Sequence, residues 1–260
     1  MLDQVRSALA ALALSILVGC GGAPSPGPVA ATTSPRLSGP VLVFAAASLT
    51  EALADDRTSL ERANPDLALT YNFAGSQQLV AQVQSGAPAD VVATADQASM
   101  QKLVDANLVE APRVFARNLL EIVVARGNPK GVKGLPDLAR RDLRVVLEDP
   151  SVPAGKYGRQ ALEKQGVKLS PVSLELDVKS ELQKVEAGEA DAGIVYVTDV
   201  RSAGAKATGV AIPADQNVLA TYPVAVVRAS AHHSLAQAFI DQLVTGPGQV
   251  ALRAHGFLAP

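Results

Sequence analysis

The chain has 260 residues, 48% of them apolar, and a formal net charge of −2. That is ample material for a core, and a near-neutral balance without a basic block excludes a nucleic-acid footprint. Aromatics make up only 3% with no tryptophan, and there is one cysteine; a base-stacking groove, an aromatic sugar platform and an intramolecular disulfide are excluded.

The first element in chain order is an apolar stretch from Ala8 to Val18, of signal h-region length and too short to span a bilayer. Arg6 supplies the positive flank, partly offset by Asp3. The stretch runs into Leu17-Val18-Gly19-Cys20, which resembles the bacterial lipobox, whose cysteine is acylated after cleavage. Residues 21–40 are rich in Gly, Pro, Ser, Thr and Ala, a composition that cannot order itself by burial and reads as a tether. The expectation is a signal peptide over 1–19, a lipidated Cys20 and tether over 20–40, and an extracytoplasmic domain whose only tie to the cell membrane is this lipid anchor.

From there strand-like and helix-like segments alternate, the pattern of an α/β protein with mostly parallel strands. Val41–Ala45 reads as a buried strand stopping at Ser48. With Glu51 three residues on, Ser48 opens a helix in the manner of a capping box. That helix carries Leu49, Leu53 and Leu60 on one face, and Asp55-Asp56-Arg57 interrupts it with charge. Leu67–Phe73 alternates as a strand, and Ser76 opens a helix burying Leu79, Val80 and Val83. Asp90–Thr94 is a strand, followed by a helix bearing Met100, Leu103 and Val104. Strands are expected at Leu119–Ala125 and Leu143–Glu148, then a turn at Pro153-Ala154-Gly155 and a helix over 156–165. Asp177-Val178 leads into a helix with Leu182 and Val185. Gly193–Tyr196 and Tyr222–Val227 are the last strands, and a final amphipathic helix carries Leu235, Ala236, Phe239, Ile240 and Leu243.

Ser48, Ser76, the Pro153-Ala154-Gly155 turn and Val178 all lie where a strand or loop hands over to a helix, and Tyr196 ends a strand. A helix start offers free N–H groups and the positive end of the dipole, so each is an elementary anion site. Other readings coexist residue by residue: Ser48 and Ser76 as plain N-caps, Tyr196 as a core tyrosine. Asp90 and Asp96 read as structural. His232, His233 and His255 lack metal-ligand spacing, no serine lies in a nucleophile elbow, and no P-loop occurs. No enzyme activity and no cofactor are expected.

Together, Phe44-Ala45-Ala46-Ala47-Ser48-Leu49-Thr50, Phe73-Ala74-Gly75-Ser76, Gly86-Ala87-Pro88-Ala89-Asp90-Val91, Ala95-Asp96, Asp149-Pro150 with Val152-Pro153-Ala154-Gly155, Gly193-Ile194-Val195-Tyr196 and Thr221-Tyr222-Pro223-Val224-Ala225 resemble the molybdate-binding proteins of bacterial ABC importers. The resemblance runs across nearly all of residues 41–260. It implies a two-lobed periplasmic-binding-protein fold, each lobe a mostly parallel sheet flanked by helices, with the ligand cleft between. The lobes would be 41–120 plus 227–260, and 121–226, with crossings near Leu120–Ala125 and Tyr222–Val227. It further implies that molybdate or tungstate is held by Ser48 and Ser76 through hydroxyl and N–H, by the amides of Ala154 and Val178, and by the Tyr196 hydroxyl. A monomer delivering its anion to a permease with a separate ATPase would follow.

An uncharged, donor-only wall suits a fully deprotonated oxyanion, which offers acceptors alone. Several hydrogen bonds to a charged group, at roughly 1.5–3 kcal/mol each, suffice for micromolar binding or better without a salt bridge. The alternatives are the same fold binding sulfate or another small anion, a transferase of the two-lobed fold, which would need a cofactor-bearing cysteine other than Cys20, and a regulator's sensing module. Gly75 departs from the family pattern, where many members carry a serine; the loss of that side chain eases close backbone approach.

Overall fold

The computed structural model describes residues 36–260; Cys20 and the expected signal peptide lie outside them. The chain begins with β1 (Gly39–Ala46), α1 (Thr50–Ala63), β2 (Leu67–Ala74), α2 (Ser76–Gln84), β3 (Val91–Ala93) and α3 (Gln97–Asp105). A long β4 (Arg113–Ala125) leads into β5 (Val146–Glu148), α4 (Pro153–Lys164), β6 (Ser173–Glu175), α5 (Val178–Glu186), β7 (Ala192–Tyr196) and α6 (Val197–Ala203). The chain closes with β8 (Ala207–Ala211), β9 (Leu219–Val226), α7 (His233–Thr245) and α8 (Gly248–Ala254). This is the expected α/β alternation. Its two-lobed relationship comes from how β4 is shared.

β1 lies parallel to both β2 and β3, with Val43 opposite Tyr71 and Val91. Parallel strands bring their carboxyl ends to one edge, so the turns leading to Ser48, Ser76 and Ala95 open on the same side. Antiparallel β9 continues the sheet from β3 to β4. Along β4, residues Arg113–Leu119 pair with β9, whereas Leu120–Val124 pair with β7 and Glu121–Ala125 with β8. β5 joins β7 through a parallel bridge between Val145 and Ala192, and β6 flanks β5 in parallel. Again the carboxyl ends, at Glu148 and Glu175, face the starts of α4 and α5.

β4 thus leaves one sheet for the other at Leu119–Leu120. The Asn217 side chain substitutes for the lost ladder partner: it accepts from the Leu120 N–H at 3.0 Å and donates to the Leu120 carbonyl at 2.8 Å. Although a return crossing was expected near Tyr222–Val227, the register already has Leu219–Val226 beside β3 and the first half of β4.

Two local expectations are corrected. Ser48 does not cap α1: a short 3-10 turn covers Ala47–Leu49 and no side chain caps either helix start. Pro153-Ala154-Gly155, read as a turn, is the first turn of α4, where proline's fixed φ and missing N–H cost nothing. The interruption of α1 by charge is also less than the sequence suggests. Asp56 faces inward with Ala52, Leu53 and Leu60, 1% exposed, and neither carboxyl oxygen has a hydrogen-bond partner. Burial pushes its pKa to about 7, because nothing nearby replaces the water a carboxylate would lose.

Two predictions follow from these buried polar groups. Asp56 binds its proton more tightly folded than unfolded, so the stability it supports is fully present below pH 3.8 and is lost as pH rises through about 7. Asp56→Asn should therefore raise Tm most at pH 8, at roughly 2–4 °C per kcal/mol recovered, and by clearly less at pH 5, between the two pKa values; an equal gain at both values would refute the assignment. Asn217→Ala strands the Leu120 N–H and carbonyl, and chemical denaturation should register a loss of about 1–3 kcal/mol.

Candidate functional site

The carboxyl ends of β1, β2 and β5 and the starts of α2, α4 and α5 meet around one small cavity of about 10 Å³, lined by Ala46–Ser48, Ala74–Ser76, Ala95, Glu148, Val152, Pro153, Asp177 and Val178. That is about the space one water molecule needs. Ser48, Ser76 and Val178, singled out from sequence, line it directly. Ala154 follows Pro153 on the first turn of α4. Tyr196 is not in the lining; its ring stands 5.8 Å from that of Tyr222.

The hydroxyls are oriented from behind. The Ser76 Oγ accepts the Ala95 N–H at 3.0 Å, which occupies a lone pair and leaves its own hydrogen free to be donated. The Ser48 Oγ lies 3.0 Å from the Tyr222 Oη, a partner that sequence reading quoted within a motif but gave no role. The Tyr196 hydroxyl is buried without a hydrogen-bond partner. Burial drives both Tyr196 and Tyr222 well above the ordinary tyrosine pKa, so both phenols keep their protons and remain donors.

The amides divide into engaged and free. Asp177, in extended conformation, caps α5 by accepting from the Lys179 and Ser180 N–H groups, each at 2.9 Å. The preceding amide, that of Val178, is left out of this cap. At α4 the Gly155 N–H donates to Glu148 Oε2 at 3.0 Å, and the Ala154 amide also stabilises that carboxylate. A wall free of carboxylates was expected, yet Glu148 and Asp177 both stand in the lining. Asp177 could have been read as an N-cap; Glu148 gives no signal in sequence beyond ending a strand.

Close approach frames the mouth. A Cβ added to Gly75 would come within 2.3 Å of the Leu176 carbonyl oxygen, and the Gln77 Nε2 donates to that oxygen at 3.0 Å. Glycine at 75 is therefore a steric requirement here. Lys179 bridges three helices, reaching Glu51 at 2.8 Å on α1 and Asp199 at 3.0 Å on α6. Burial works against its ammonium, but Asp199 and Glu51 outweigh this and hold its pKa above the ordinary lysine value. Among the described residues, no group of three or more His, Cys, Asp or Glu side chains could hold a metal ion.

The family model for bacterial extracellular solute-binding proteins matches residues 41–258. The molybdate-binding protein ModA of Mycobacterium tuberculosis (strain ATCC 25618 / H37Rv) is 38% identical over 254 residues, 97% of this chain and 96% of its own length. That of Escherichia coli (strain K12) is 32% identical over 84% of this chain and 89% of its own. The solved periplasmic molybdate-binding protein of Azotobacter vinelandii superposes with a TM-score of 0.74 at 20% identity, covering 85% of this chain and 99% of that one. The chain belongs to the bacterial extracellular solute-binding protein family, in the company of its molybdate-binding members.

Proposed function

We propose that this chain captures molybdate, and tungstate through the same contacts, as the solute-binding component of an ABC importer. The observation that carries the reading is the convergence of two serine hydroxyls and three helix starts on one small cavity. Ser48 and Ser76 donate through their hydroxyls, Val178 and Ala154 through their amides, and Tyr196 reaches the anion with its otherwise unpartnered hydroxyl. With Tyr222 donating to the Ser48 hydroxyl across their 3.0 Å contact, the serine hydrogen would be left for the anion. Neither serine is set up as a nucleophile, since their partners are a phenol and a backbone amide rather than a base.

On this reading one lobe comprises residues 41–119 and 219–260 and the other 120–218, with Asn217 at the strand exchange. The anion bonds to both and draws them together as a hinge. Cys20 carries the lipid that keeps the monomer beside its permease outside the cytoplasm, and the ATPase is a separate chain.

Calorimetric titration of residues 36–260 with molybdate, tungstate, sulfate and phosphate tests the assignment. One-to-one binding of the first two with sulfate weak is expected; sulfate binding as tightly would make this a general oxyanion carrier. Ser48→Ala and Tyr196→Phe should each weaken molybdate binding by about 1–3 kcal/mol, roughly five- to a hundredfold. Unchanged affinity in both would sink the site. Independently, Cys20→Ala in the full chain should move the protein from the membrane fraction to the soluble one.

A further inference from the structure

The Glu148 carboxyl stands in the cavity wall, where a dianion is to bind. Its residue is 1% exposed, one oxygen takes the Gly155 N–H, and the other, Oε1, is buried without any partner. Behind it lies a second buried carboxyl. Glu181 is 0% exposed, one oxygen accepts the Ile194 N–H at 2.6 Å, and its Oε2 has no partner. Room for Glu181 is built in: a Cβ on Gly193 would fall 2.4 Å from its Oε1. Among the described residues, neither glutamate is paired with a cation.

We propose that Glu148 is a proton-bearing specificity residue of this site: a dianion enters only when Glu148 is protonated, so capture takes up a proton wherever Glu148 is ionised in the free protein. The inference rests on the anion-binding reading above. An ionised Glu148 would oppose the ligand twice. Its charge repels a dianion held directly against it in the cavity wall, and it keeps the Ala154 and Gly155 amides that an anion would otherwise use. Protonated, its O–H becomes one more donor beside the serine hydroxyls and the helix-start amides.

The surroundings favour the proton. Burial, then Asp199, push Glu148 well above the ordinary carboxylate range, and burial, then Glu148 itself, do the same for Glu181. The other groups facing the pair are Asp177 at the start of α5, Glu175 from β6 and the neutral Tyr196 from β7. Lys179 is held by Asp199 and Glu51, and Lys184 by Glu175, so the cations nearby are committed elsewhere. Charge on either glutamate raises the cost of charge on the other, so their titrations are linked.

The sign is fixed by linkage: if binding takes up a proton, affinity falls as pH rises through the titration of the pair, by up to tenfold per pH unit. Molybdate, a dianion throughout, is titrated between pH 6 and 9.5 in buffers of differing ionisation heat. Expected are a falling affinity toward high pH with net proton uptake by the wild type, and a pH-flat affinity for Glu148→Gln, which keeps a donor without the charge. A wild type that binds with no proton uptake and a flat profile overturns the inference while leaving molybdate capture standing. So does a folded Glu148→Gln that retains the slope. Failure of the folded wild type to bind molybdate at any pH overturns the capture reading itself. Because proton uptake is measured on the wild type, the inference is decided even if the variant does not fold.

Discussion

An α-helix leaves its first N–H groups without intrahelical partners, and in a buried setting something must accept them. Here the starts of α2, α4 and α5 meet at one point, and the fold is arranged around how that demand is met. At α5 the Asp177 side chain takes two amides and stops short of Val178. At α4 Glu148, from the end of β5, accepts the Gly155 N–H. At α2 the Gly75 carbonyl accepts the Gln78 and Leu79 N–H groups, and the Ser76 hydroxyl, held by Ala95, faces the gap. Protein acceptors thus satisfy most of each helix start, and the Val178 amide and the Ser76 hydroxyl hydrogen are left for the anion of the proposed reading.

How much of this was legible in sequence follows from which signals are local. The handover points were legible because strand-to-helix transitions are marked by a change of apolar period and by Ser, Gly and Pro. Ser48 was read correctly as a residue at a helix start and incorrectly as its cap, because its true partner, Tyr222, lies 174 residues away. The same non-locality hid the first half of β4, whose Arg113, Arg117 and Asn118 break the apolar run; β9 lies alongside and makes a strand of them. Asn217 was invisible for a related reason: an asparagine imitating a strand partner looks like a loop residue until the strand it serves is placed.

Glu148 marks a different limit. Nothing in Val146-Leu147-Glu148-Asp149-Pro150 separates a solvated acid at a strand end from one buried in an anion cavity. The difference arises only when α4, α5 and α6 close over it and bring Asp177, Glu181 and Asp199 toward the same point. The local pattern had suggested a wall of neutral donors. Burial without a cation keeps that electrostatic outcome by another route, since a carboxyl denied both water and a counter-charge gives up its charge. Gly193 and Gly155, which leave no space for a Cβ beside Glu181 and the Glu148 backbone respectively, show that the backbone is accommodated to these two acids.

The contacts across the mouth of the cavity are few. Gln77 donates one hydrogen bond to the Leu176 carbonyl, and Lys179 reaches Glu51 through a partly exposed ion pair whose members are 21% and 38% exposed. Pairs of that exposure contribute about 0–1 kcal/mol, too little to fix the two sides against each other. Gly75 permits the backbone approach but adds no attraction of its own. On the proposed reading, an occupant that bonds to both sides, to Ser48 and Ser76 on one and to the starts of α4 and α5 on the other, adds the attraction that these contacts lack. A ligand shifts such an equilibrium only through contacts it makes in one state and not the other, and hydrogen bonds donated from opposite walls are of that kind. On the proposed reading, weak direct contact across the cleft is what would let a small ion govern the position of the two lobes.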